Sequence, residues 1–79
     1  MQLNDWLREQ EISQETFGQR LSPPVKQASV SHWANGRHLP PLDYADQIQR
    51  MTKDAVTLSD FLAANRDFRA RTEAAKEAA

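Results

Sequence analysis

Two proline pairs, Pro23-Pro24 and Pro40-Pro41, interrupt this 79-residue chain. Proline disfavours the α conformation in the residue before it and lacks the N–H a helix interior needs, so each pair is a stop. Between the stops, apolar residues recur at helical spacing, and no stretch alternates as a half-buried strand would. The predicted fold is therefore all-α: a compact bundle of about five short helices around one core. Seventy-nine residues make one small domain. Residues 1–64 are its expected extent, and 65–79 an expected helical or frayed extension.

The first helix is predicted over about Leu3 to Gln10, with Leu3, Trp6 and Leu7 facing inward. Ser13 has the character of an N-cap, and Glu15 suits the positive end of the second helix. Ile12 and Phe17 have the spacing of a hydrophobic staple. This helix is expected to run on through Gly18 to Leu21. A mid-helix glycine costs about 1 kcal/mol relative to alanine, so Gly18 suggests close approach by another helix. Ser22-Pro23-Pro24 ends it, with Pro24 able to open the next helix, where its missing N–H is no loss.

Leu39-Pro40-Pro41 leads into a fourth helix, about Leu42 to Thr52, with Leu42, Ala45 and Ile48 inward and Met51 or Tyr44 beside them. Thr57 and Asp60 approximate a capping box, and Val56 and Phe61 repeat the staple spacing. Leu58, Phe61 and Leu62 make a short fifth helix. Beyond Phe68 no large apolar side chain anchors the alanine-, arginine- and glutamate-rich remainder, which is expected to be helical and to fray.

The third helix, within Val25 to Gly36, carries the functional expectation. At 100° per residue Val30, Trp33 and Ala34 share one side. Ala28, Ser31, His32 and Asn35 share the other, with Gln27 at its edge. Gly36 can adopt φ > 0 and close the helix. A solubilising face carries Glu and Lys, whereas this one carries short hydrogen-bonding groups. It suits a recognition helix in a DNA major groove, the alternative being an ordinary amphipathic helix.

Charge is distributed unevenly. Residues 1–20 balance at −2, residues 41–60 at −2 and residues 61–79 at +1. Residues 21–40 hold Lys26, Arg37 and both histidines with no acid, a balance of +2. A polyanion is attracted to that segment, although the formal net charge is −1.

Two short helices separated by a rigid turn form a helix-turn-helix arrangement. Ser13 to Leu21, then Val25 to Trp33, then Asn35-Gly36-Arg37-His38-Leu39-Pro40, resembles the helix-turn-helix of phage Cro and repressor proteins, which have the lambda-repressor-like DNA-binding fold. It is most similar to the small Cro-type repressors of temperate phages and prophages. The shared features are Ser-Gln opening helix two, a small residue at the crossing, a buried Val in helix three, and Trp then Asn-Gly-Arg closing it. The similarity spans roughly Leu3 to Leu62. Ser22-Pro23-Pro24 departs from the family's usual turn, which has a glycine and about two residues fewer.

The resemblance implies a sequence-specific regulator of transcription, with repression as the default. Lys26, Gln27, Ala28, Ser31 and His32 are the candidate base contacts. Gln27 leads them, because an amide matches adenine N6 and N7. Gln14, Arg37 and His38 are candidate phosphate contacts, and Asn35 is either a phosphate contact or a C-terminal cap. Each domain reads few base pairs, so a homodimer on a pseudo-palindromic double-stranded operator is expected. Phe61, Leu62 and Phe68 are candidates for its interface, the alternative for Phe61 being a place in the core.

Other classes are disfavoured. There is no cysteine, which suits a reducing cytoplasm, and no apolar run reaches the ~20 residues of a membrane span. No secretory signal precedes the first helix. His32 and His38 are six apart and do not share a helix face, so no zinc spacing fits. Neither a cofactor nor a catalytic centre is expected. The rival reading is an antitoxin or adaptor whose Ala28, Ser31 and His32 face docks a partner protein.

Overall fold

The computed structural model describes the backbone of residues 1–78 and the side-chain surroundings of residues 1–74. Five helices follow one another: α1 (Leu3–Gln10), α2 (Gln14–Gln19), α3 (Gln27–Asn35), α4 (Leu42–Met51) and α5 (Leu58–Ala78). The all-α expectation holds, with no strand among the described residues.

Helix α1 buries Leu3 and Leu7, as its i, i+4 spacing requires. Trp6 is half-buried and meets Phe17 edge-on, with ring centroids 5.9 Å apart. Glu11 closes the helix in the left-handed conformation at φ 54°. The chain then turns into α2, where the Ser13 hydroxyl accepts the Thr16 N–H at 3.1 Å. This is the expected cap, and it satisfies one donor the helix start leaves free.

Helix α2 is shorter than its sequence predicts, ending at Gln19 with Arg20 as its cap. Leu21 is buried from the following turn instead of from the helix. Gly18 does mark a close approach, but the nearest atom belongs to the turn. A Cβ there would stand 2.5 Å from the Val25 carbonyl oxygen and 3.3 Å from Val30 Cγ2 on α3. Val25 N–H also donates to the Gly18 carbonyl at 3.0 Å, drawing the turn onto α2.

Pro24 does not open α3. The helix starts at Gln27, with Lys26 as its N-cap residue. The Ser22–Pro23 peptide is cis. Helix α4 holds this long turn in place. Gln47 accepts the Ser22 N–H at 3.0 Å and donates to the Ser22 carbonyl at 2.7 Å. The Tyr44 hydroxyl donates to the Pro23 carbonyl at 2.7 Å.

Ten residues join in the core: Leu3, Leu7, Phe17, Leu21, Val30, Trp33, Ala34, Ile48, Val56 and Phe61. Helix α4 contributes Ile48, and Ala45 beside it is also buried. Leu42 does not face inward as expected. It is 75% exposed, because it is the first residue of a helix whose inward side starts one turn later. After α4 the buried Thr52 hydroxyl donates to the Ile48 carbonyl at 2.8 Å and accepts the Val56 N–H at 3.1 Å.

Helix α5 starts at the expected capping pair, with Asp60 accepting from the Thr57 N–H at 2.9 Å and the Thr57 hydroxyl at 3.1 Å. It is not short. One unbroken helix runs from Leu58 to Ala78, so the fifth helix and the expected helical extension are continuous. Ala79 lies outside the described residues. No described helix is long and apolar enough to cross a membrane.

Candidate nucleic-acid interface

Val30, Trp33 and Ala34 anchor α3 from one side, and Trp33 packs on Tyr44 of α4 with centroids 5.4 Å apart. The opposite side is left for Ala28 and Asn35, both exposed, and Ser31 and His32, both half-buried. Lys26 and Gln27 stand exposed where the helix begins. Ala28, Ser31 and His32 thus share the outward face, Gln27 lies at its edge, and Lys26 precedes the helix as its N-cap residue.

No side chain caps the start of α3. The Ser29 N–H turns back to the Lys26 carbonyl at 3.0 Å, and the positive end of the helix dipole has no side-chain cap, an arrangement that attracts anions. Gln27 is held there. Its Nε2 donates to Gln14 Oε1 at 3.3 Å, and Gln14 Nε2 donates to Asn4 Oδ1 at 3.0 Å. A side-chain amide has two N–H donors and a carbonyl acceptor. Gln27 accordingly keeps one donor and one acceptor for an outside partner.

The acid-free segment is not acid-free in space. Glu15 of α2 lines a shallow groove with Gln19, Val25, Lys26 and Gln27. A count along the chain misses it because Glu15 precedes the segment in sequence and meets it only through α2–α3 packing.

At the far end of α3, Gly36 caps the helix at φ 82°. This leaves Asn35 free of that role, and its amide donates to Ser31 Oγ at 3.3 Å. Arg37 and His38 are exposed just beyond. The two histidines come together despite their spacing. His38 N–H donates to the His32 carbonyl at 3.3 Å, and the two rings stand 5.2 Å apart, centroid to centroid. His38 lies past the end of α3, so helical spacing does not set where its ring goes. Among the described residues, no group of three or more His, Cys, Asp or Glu side chains is placed to hold a metal.

Of the three residues expected at a dimer surface, Phe61 is corrected. It is 2% exposed and part of the core, where the Val56–Phe61 spacing draws it. Leu62, next on the helix, is 43% exposed. Phe68 is half-buried in a groove with Asn35, Ala64, Asp67 and Arg71. Sequence reasoning also missed Tyr44 and Gln47, which set the turn before α3. Nothing local to residues 44–47 signals that task, since their partners are more than twenty positions away.

No protein-family model, curated protein or solved structure matches this chain.

Proposed function

We propose that the chain is a sequence-specific double-stranded-DNA-binding regulator of transcription. In this reading it is a Cro-like repressor working in a bacterial cytoplasm, with α2 and α3 as its helix-turn-helix and α3 in the major groove. One observation carries it: Gln27, at the uncapped start of α3, is oriented by Gln14 and keeps a donor and an acceptor. That pair is what adenine N6 and N7 require. Ala28 offers a methyl surface for thymine, Ser31 bonds in either sense, and His32 donates to a guanine acceptor. Lys26 reaches a base or a phosphate at the helix start. Gln14, Asn35, Arg37 and His38 hold the backbone on either side, fixing register without reading sequence.

A homodimer on a pseudo-palindromic operator completes the proposal, with half-sites about one helical turn apart. The exposed Leu62 and the half-buried Phe68 are its apolar candidates. Binding to mixed-sequence duplex across a salt series is the test. The logarithm of the binding constant should fall with that of salt, at about −0.9 per neutralised phosphate. A flat or absent response sinks the reading.

A protein-docking module is the second reading, and the exposed Leu39 and Leu42 beside the α3–α4 connector favour it. Apolar association of that kind leaves no counterion signature.

A further inference from the structure

We propose that His32, at a base edge, and His38, at the backbone, act as one proton-linked contact for the duplex, so that this face binds DNA more tightly as pH falls. The proposal rests on the DNA-binding reading above and adds how that site is regulated. Its basis is a juxtaposition. The imidazoles stand 5.2 Å apart at an interplanar angle of 74°, edge towards face. Gly36 at φ 82° turns the chain, and the His38 N–H bond to the His32 carbonyl lays residue 38 back against the end of α3.

Neutral rings suit this edge-on arrangement, because the edge of one is positive and the face of the other negative. Two protonated rings at this separation repel each other. A phosphate oxygen beside them reverses the balance by favouring the charged form. Binding then takes up protons, which strengthens it on acidification and weakens it as pH rises.

The surrounding charges are compatible with this. Arg37 lies between the pair in the chain, and Lys26 stands at the other end of α3. On α2, Glu15 lines the groove by Lys26, and Arg20 follows the helix. On α4, Asp46 pairs with Arg50 at 3.2 Å, Asp43 accepts the Tyr44 N–H, and Tyr44 stacks on Trp33. On α5, Asp67 and Arg71 lie beside Asn35, while Arg66 and Arg69 lie beside Asn65. Among the described residues, no carboxylate forms an ion pair with either imidazole.

The chain has two histidines and no cysteine. Imidazole is the side chain whose ordinary titration falls between pH 5 and 8, and with two histidines their variants separate its share from that of the α-amino group. The readout is therefore clean. Fluorescence anisotropy with a mixed-sequence duplex, at fixed ionic strength from pH 5.5 to 8.0, would compare the unaltered chain with His32→Gln, His38→Gln and the double variant. Affinity of the unaltered chain should rise on acidification, by at most about tenfold per pH unit for each proton taken up. Each single variant should flatten the profile. The double variant should bind more weakly at low pH, show no pH dependence, and keep its salt dependence. The imidazole NMR titration should also move to higher pH when duplex is added, a readout independent of how the variants fold.

Salt-dependent binding with a flat pH profile in the unaltered chain overturns the proposal and leaves the DNA-binding reading standing. So does a double variant with an unchanged pH profile. No binding at any salt or pH overturns both.

Discussion

Gln14 and Gln27, the first residues of α2 and α3, are joined side chain to side chain at 3.3 Å. In the DNA-binding reading, the bond makes base readout a property of the pair. Gln27→Ala should relax preference at one base pair, at a cost of about 1–3 kcal/mol. Gln14→Ala should broaden preference at that same base pair, because Gln27 loses its orienting partner. Selection of bound sequences from random DNA reads both. Equal weakening on every sequence would reassign Gln27 to the backbone.

Gly18→Ala sets two effects against each other. Helix propensity favours alanine by about 1 kcal/mol. The added Cβ would stand 2.5 Å from the Val25 carbonyl oxygen, a backbone atom that Val25's own bond to Gly18 holds in place. Overpacking of this kind costs about 1–3 kcal/mol, so net destabilisation is expected. A urea midpoint for the variant at or above that of the parent would contradict it.

Glu15→Gln should tighten binding to mixed-sequence duplex, since it removes the one carboxylate lining the groove beside Lys26 and Gln27. It should also cost about 0.3–1 kcal/mol of stability, because Glu15 sits in the first turn of α2, where a negative charge is favourable. Binding and denaturation measured on one preparation separate the two. Unchanged affinity would remove Glu15 from the interface.

Asp60 gives a pH-dependent term. Burial raises its pKa, but bonds from the Thr57 N–H, the N-terminal ammonium and the Thr57 hydroxyl, with the ammonium's charge, outweigh this and hold it below the usual value. A lowered folded-state pKa means stability present above the unfolded carboxylate range and lost as pH falls through the folded value. Asp60→Asn should cost about 1 kcal/mol at neutral pH, as lost caps do, and should flatten the acid limb of the stability profile. Thermal midpoints between pH 2.5 and 7 test this, and an equally steep acid limb in Asp60→Asn would refute it.

What the sequence revealed was local. Leu3 with Leu7, the Ser13 cap, and Val30 with Trp33 follow from spacing within one or two turns, where side-chain direction is set by the helix itself. The misreadings share a different cause. Leu42 has the right residue type and spacing, but it opens α4 one turn ahead of the inward side that Ala45 and Ile48 form against the core. Pro24 is acceptable at a helix start, yet the bonds from Tyr44 and Gln47 carry the turn three residues further. The His32–His38 contact depends on where the backbone goes after Gly36, and the approach of Glu15 to Lys26 on how α2 crosses α3. Each is settled by elements distant in the chain, which periodicity does not encode.

Gly36 has no room for a side chain: a Cβ there would collide with the Ala64 carbonyl, and Asn65 Nδ2 donates to the Gly36 carbonyl at 2.9 Å. The tip of α3 is thereby bolted to α5, while its root is bolted through Gln14 to α1. A helix clamped at both ends cannot be re-aimed piecemeal. In the DNA-binding reading, descendants of this scaffold would acquire new targets by exchanging the outward residues at 28, 31 and 32, while Gln27 and Gly36 keep the angle at which they are presented.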